Sequence, residues 1–337
     1  MDVKSRILGS ILGAAVGDAM GAVTETKTPE MIRARFGGYV EDLLPGPEDT
    51  FVKDCPAGAV TDDFSLAYYT AQELAGCRGA VTRELSEKAL LTWASHPEYF
   101  RFAGPTTQAS VKRIQGFEVD PGLSFMACDN HKATNGSAMK IFAVGLINPG
   151  DIEKAVRDTA TVCLPTHSTN ASISGASAIS AAVAAAVTGA SLNDVLDAGL
   201  RGARMGYELG TLVGDPTSVA SVEKRMELAI RMGSQGKSWE EAMLELGEII
   251  GSGIAVNEAV PCVFGILAAT NGDTMAGIRM GVNIGNDTDT VATMVGAIAG
   301  AMHGAESMPK RYLEIIERIN EMELAALANR IYEAYYR

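Results

Sequence analysis

The chain has 337 residues, 47 % of them apolar, and carries a net charge of −13 without any low-complexity tail. That much apolar chain predicts a sizeable core in one large domain or two intimate ones, and with no 20–50-residue repeat and no Pro/Ser-rich linker the reading is one compact domain over residues 1–337. An acidic surface of this kind repels nucleic acid and anionic membranes, which excludes both as expected partners, although a pocket can still reverse the sign locally for a phosphorylated small ligand.

In chain order, the first segment is MDVKSRILGSILGAAVGDAMGA, with a basic head and an apolar run that imitate a secretory signal. Gly9, Gly13, Gly17 and Gly21 recur every four residues, however, and Asp18 interrupts the run. Four-residue spacing places these glycines on one helix face, where a second helix can approach closely, so the segment reads as a buried helix of the mature protein. Thr28-Pro29-Glu30 then sets proline at a first helical position. Leu66, Tyr69, Thr70, Glu73 and Leu74 fit a helix over about 62–75. The same spacing predicts helices over 171–188, 222–232, 239–250, 257–269, 290–302 and 309–335, with a capping box at Ser238-Trp239-Glu240-Glu241. The alanine-rich run 176–187 is too short to span a bilayer. Two-residue alternation is rare, so the expected class is all-α, with long loops near 35–60, 96–136 and 212–221. Five cysteines (Cys55, Cys77, Cys128, Cys163, Cys262) never form CxxC and read as reduced thiols of a cytoplasmic protein.

Two acidic clusters stand at helix starts: Thr61-Asp62-Asp63 and Asp287-Thr288-Asp289-Thr290. Each on its own is explained by capping, because Thr and Asp accept the orphan amide protons of a first turn. A second adjacent carboxylate adds repulsion to a cap unless something positive lies between the acids. On an ideal helix Asp287 and Asp289 would point about 200° apart, so both reach one point only if Asp287 lies in the entry loop that Gly285 and Asn286 permit. Thr290 returns to the face of Asp287. Carboxylate and hydroxyl donors of this kind suit a hard cation, Mg²⁺ or Mn²⁺, and four carboxylates from two helix starts suit a pair of ions.

The segments ILGAAVGDAMGAVTE, TDD, NGSAMK, TH and GNDTDTVATMVGAIAGA occur in the order found in the ADP-ribosylglycohydrolase family, which the chain resembles from about residue 6 to 310. The resemblance implies a compact multi-helix bundle with a central dinuclear cleft holding two Mg²⁺ (or Mn²⁺) ions. It implies Thr61, Asp62, Asp63, Asp287, Asp289 and Thr290 as metal ligands, with Glu25 and Asp287 as the acid–base candidates. By the same resemblance Gly104, Pro105, Thr106, Asn135, Gly136, Ser137, His167 and Asn286 face the ligand. Phe64 stands where the family often has a hydroxyl residue, and Asn286 where it often has glycine. The first implies altered packing behind the metals and the second an amide beside the ligand.

The implied activity is metal-dependent hydrolysis of an N-glycosidic bond that releases ADP-ribose from a ribosylated small molecule or protein. Hydrolysis of a small N-riboside or nucleotide is the alternative, and a non-enzymatic ligand-binding or structural role on the same scaffold is a third reading. Adenine stacking would need an aromatic side chain, for which Tyr99, Phe100, Phe102 and Phe125 are in reach, and Arg101 or Lys140 could neutralise a phosphate. His96, His131 and His303 carry no partner pattern.

Overall fold

The computed structural model describes residues 2–78, 80–119 and 127–337. Among them are seventeen α-helices, three short 3₁₀ turns and two isolated β-bridges, with no strand. Among the described residues no helix is long and apolar enough to cross a membrane.

Helix α1 (Val3–Gly21) is buried from Gly9 onward. A Cβ on Gly9, Gly13, Gly17 or Gly21 would lie 2.1–2.4 Å from backbone atoms of Gly300, Gly296, Ala292 or Asp289, respectively. The paired numbers run in opposite directions, so α1 lies antiparallel to the helix of residues 288–303, backbone against backbone. After α2 (Pro29–Phe36), with Pro29 at its first turn and Thr28 as N-cap, the chain runs without helix to Thr61, which caps α3 (Asp62–Cys77).

The segment 96–136, expected as a loop, is largely helical where it is described. After α4 (Arg83–Ala94), Pro97 and Pro105 start α5 (Pro97–Phe100) and α6 (Pro105–Ile114) at their first positions, the place where a missing N–H costs a helix nothing. Short turns at Asn130–Lys132 and Asn135–Ser137 follow. The central layers are α7 (Phe142–Leu146), α8 (Ile152–Cys163), α9 (Asn170–Ala186) and α10 (Leu192–Val213), with α9 packed along α8 and α10.

Next come α11 (Val222–Gly233), α12 (Trp239–Ile249), α13 (Val256–Ala269) and α14 (Thr274–Asn283). Ser238 forms the predicted capping box with Glu241. Helix α15 (Thr288–His303) completes the contact with α1.

The continuous helix expected over 309–335 is instead α16 (Arg311–Asn320) and α17 (Leu324–Tyr335), broken at Glu321 with φ 52°. Asn320 explains the break. Its amide accepts from Val60 N and donates to the Gly58 and Ile316 carbonyls, pinning the end of α16 to the chain that enters α3.

Candidate active site

The two acidic clusters are brought together by α1. Asp18, fully buried midway along the glycine stripe, turns away from α15 and toward α3. Its carboxylate accepts from Thr61 N (2.9 Å), the Thr61 hydroxyl (2.8 Å) and Phe64 N (2.9 Å). A side chain from another helix thus satisfies the orphan donors at the start of α3, and Thr61 N-caps that helix through Asp63 N. Phe64 drives its ring into the core parallel to Phe142, with ring centroids 6.4 Å apart.

Just past α1, Thr24 donates to the Val282 carbonyl at 2.6 Å, and Thr26 N donates to the Asn286 carbonyl at 2.7 Å. Asn286 N returns a hydrogen bond to the Lys27 carbonyl at 3.0 Å. These links stitch the loop bearing Glu25 to the loop that enters α15. Asn286 itself has φ 66°, the left-handed turn that lets Asp287 act as a non-helical N-cap (φ −95°, ψ 67°) before Asp289 joins the first turn. One carboxylate oxygen from each of Glu25, Asp287 and Asp289 consequently lies within 4.8 Å of the others. Asn135 donates to Asp287 Oδ2 at 2.6 Å and fixes its orientation.

Burial dominates the electrostatics. It pushes the Glu25 carboxyl up to about 7, with the charges of Asp287 and Asp18 adding to the effect. Asp18 is pushed up to about 6 by burial, against the pull of its three hydrogen bonds. Asp62, Asp63 and Asp289 stand well above the usual carboxylate range, from burial first and neighbouring acids second. Burial also raises Asp287. The nearby Lys27 ammonium pairs with Asp49 at 3.7 Å. Asp63 Oδ1 is buried with no hydrogen-bond partner among the described residues. An orphaned oxygen and crowded acids, all with oxygen donors, are what a hard divalent cation relieves, so the residues fit one.

These acids open onto a cavity of about 500 Å³, whose wall includes Glu25, Thr61, Asp62, Asp63, Asp287, Asp289 and Thr290. The first turn of α6 with its cap (Gly104, Pro105, Thr106), together with Asn135, Gly136 and His167, completes the predicted part of the wall. The match to the ADP-ribosylglycohydrolase family model spans residues 1–337. The chain belongs to the ADP-ribosylglycohydrolase family.

Among similar sequences is YegU of Escherichia coli K12, an uncharacterised protein 29 % identical over 322 residues, covering 94 % of this chain and 93 % of the relative. Human ADP-ribosylhydrolase ARH3 is 26 % identical over 343 residues, covering 96 % and 92 %. ADP-ribosylarginine hydrolase Tri1 of Pseudomonas putida is 22 % identical over 316 residues, covering 92 % and 73 %. A solved ADP-ribosylglycohydrolase-related protein complex superposes with a TM-score of 0.67 at 21 % identity over 99 % of both chains, which shows the fold.

Two residues carried over from this glycohydrolase family are placed elsewhere. Ser137 is fully buried, and its hydroxyl donates to the Ser172 carbonyl at 3.0 Å, so it braces the Asn135–Ser137 turn outside the cavity wall. Asn286 is exposed and lines a neighbouring cavity of about 410 Å³ with Lys27 and Ser252; the same left-handed turn that releases Asp287 carries it there.

Of the expected aromatics, Phe102 lines the acidic cavity with Arg101 over its ring at 4.4 Å, whereas Tyr99 is buried and donates to the Asn320 carbonyl. Phe100 packs edge-on against Trp93. Phe125 lies outside the described residues. Sequence reasoning passed over Phe51 and Ile254, both exposed at the cavity. It also passed over Asp18, whose only local signal is a carboxylate in an apolar helix.

Proposed function

We propose that this chain is a divalent-metal-dependent N-glycosidase that releases ADP-ribose from an N-linked acceptor. The observation that carries the reading is the meeting of Glu25, Asp287 and Asp289 within 4.8 Å at a cavity also lined by Asp62 and Asp63. The names of ARH3 and the ADP-ribosylarginine hydrolase Tri1 support the substrate class. Thr61, Asp62, Asp63, Asp287, Asp289 and Thr290 would hold two Mg²⁺ or Mn²⁺ ions, with Glu25 beside them. Such ions, when bound, supply the Lewis acidity that orients ribose hydroxyls and makes water a nucleophile at neutral pH.

The chain's own residues supply the proton chemistry and the positioning. Breaking an N-ribosyl bond leaves positive character on C1, which the surrounding carboxylates stabilise electrostatically. Glu25, beside the ion site, can take a proton from water or give one to the departing nitrogen. Asp287 is the second candidate for that role, and Asn135 keeps one of its oxygens fixed. Desolvation by the cavity wall strengthens each of these interactions.

The test is release of ADP-ribose from an ADP-ribosylated arginine peptide, followed by chromatography with Mg²⁺, with Mn²⁺ and with EDTA. Release that EDTA abolishes and metal restores is expected, and Asp62→Ala and Asp287→Ala should each abolish turnover while the protein keeps its circular dichroism. Hydrolysis of plain ribosides with no action on the peptide would favour the metabolic alternative. Metal-independent turnover would sink the proposal.

A further inference from the structure

Behind the cavity wall three side chains stand in a row. The Lys140 ammonium is 2 % exposed and donates to the Thr166 hydroxyl at 2.9 Å. That same hydroxyl oxygen lies 2.9 Å from Nδ1 of His167. His167 is buried at the cavity wall, and among the described residues no protein group pairs with its Nε2. Gly136 keeps the ring edge clear, since a Cβ there would sit 2.7 Å from Nε2 and 2.9 Å from Cε1.

The inventory of donors and acceptors favours one arrangement of protons. An ammonium has only protons to give, so Thr166 Oγ1 must receive one from Lys140. If Nδ1 also carried a proton, Thr166 would receive twice, and its own hydroxyl proton would be buried without an acceptor, which costs as much as a lost hydrogen bond. With Nδ1 bare, the hydroxyl donates to it, and the Thr166 proton has its acceptor. Burial, with the Lys140 charge behind it, holds His167 down to about 3, so the ring is neutral and its one proton resides on Nε2. Lys140 itself, lowered by burial to about 8, remains largely protonated at neutral pH.

We propose that Lys140 and Thr166 are positioning residues that hold His167 in its Nε2–H tautomer, so that the ring offers a hydrogen-bond donor to an acceptor oxygen of the ligand in the cavity. The identity of that ligand as ADP-ribose rests on the reading given above; the tautomer does not. Neither Lys140 nor Thr166 lines the cavity, so both act through His167. A ring locked in this state cannot serve as a general base through Nε2. It contributes orientation and leaves proton transfer to the carboxylates.

The experiment is long-range ¹H–¹⁵N correlation on protein labelled with ¹⁵N-histidine, with the His167 signals identified by their loss in His167→Gln. The wild type should show Nδ1 unprotonated and Nε2 protonated, and Thr166→Ser should restore that pattern. Thr166→Val should mix or reverse the tautomers and weaken ADP-ribose binding about fivefold by calorimetry, as expected for one neutral hydrogen bond. A protonated Nδ1 in the wild type overturns the proposal, as does a Thr166→Val protein that keeps both the tautomer and the affinity. If Thr166→Val fails to fold, the wild-type spectrum decides alone. A wild type with the assigned tautomer that binds no ADP-ribose upholds the positioning role and overturns the ADP-ribose reading instead.

Discussion

The antiparallel contact of α1 and α15 makes a quantitative prediction for Gly13→Ala. A Cβ at Gly13 would stand 2.1 Å from the Gly296 carbonyl oxygen and 2.7 Å from its carbon, whereas ordinary contact begins near 3.4 Å. Both colliding atoms are backbone, so no rotamer change relieves them, and the helices must part by roughly 1 Å at the crossing. Overpacking of this kind costs about 1–3 kcal/mol, and a backbone collision belongs at the upper end. Alanine returns about 1 kcal/mol of helix propensity. The net expectation is a loss of about 2 kcal/mol.

Gly76 in α3 supplies the control, because it is exposed and a Cβ there would meet nothing within 4 Å. Gly76→Ala should stabilise the protein by up to ~1 kcal/mol. Urea unfolding followed by circular dichroism, at one fixed Mg²⁺ concentration, compares the two midpoints. A Gly13→Ala protein as stable as its parent would refute the reasoning, and equal shifts in the two variants would show that propensity alone was being measured.

Asp18→Ala strands three hydrogen-bond donors at the start of α3 and should cost roughly 3 kcal/mol or more in unfolding free energy along with turnover, while Asp18→Asn, which keeps one oxygen for the two amide donors, should lose far less stability; equal losses would show that charge outweighs hydrogen bonding. Mg²⁺ should raise the stability of the wild type by about 2.7 kcal/mol at a hundredfold excess over Kd, and Asp289→Asn should shrink that gain; an unchanged gain in the variant would separate Asp289 from the ion. Lys140 is a base whose pKa falls from 10.5 to about 8 on folding, so its destabilising effect is fully present below pH 8 and fades as pH rises toward 10.5. Lys140→Met should therefore gain up to roughly 3 kcal/mol at pH 7, less the lost Thr166 hydrogen bond, and the gain should shrink above pH 8; a gain that grows with pH would contradict the assignment.

The parts of the fold visible in the sequence were those encoded by local repetition. Gly9, Gly13, Gly17 and Gly21 announce a close helix contact without revealing the partner, because the partner's own small residues, Ala292, Gly296 and Gly300, lie almost 300 residues away. Helices α8 and α10 went unread although their starts carry caps, Asp151 and the Ser191–Asp194 capping box, as plain as the one at Ser238. The break at Glu321 was hidden because Asn320 draws its reason from Gly58 and Val60, which local spacing cannot display.

The same division holds at the site. Asp287 and Asp289 have oxygens close to each other, as the left-handed turn at Asn286 in the entry loop permits. Ser137 and Asn286 lie outside the wall of the acidic cavity, because motif membership says nothing about which way a turn directs a side chain. Phe102 lines the cavity as expected, but Tyr99 and Phe100 satisfy the core, and the exposed Phe51 sits in a loop with no periodicity to mark it.

The glycine contact and the acids belong to one construction. The stripe that begins at Gly9 and Gly300 ends where Gly21 meets the backbone of Asp289, so the closest part of the helix pair leads directly into the cluster. Crowded carboxylates push elements apart, and a loosely packed pair of helix starts would relax until water separated the charges. Here α1 is clamped to α15 over its length, Asp18 ties α1 to the start of α3, and the backbone pairs between 26–27 and 286 hold Glu25 in place. Relaxation would have to break that packing, so the acids stay buried and crowded, their pKa values raised by burial first and by one another second, with an Asp63 oxygen that has no partner among the described residues. On the proposed reading, a divalent cation entering such a site meets ligands already in position and gains the energy that their crowding had withheld from folding. Tight packing far from the ligand is therefore a condition for metal affinity, and a substitution along the glycine stripe should weaken Mg²⁺ binding even when no ligand residue has changed.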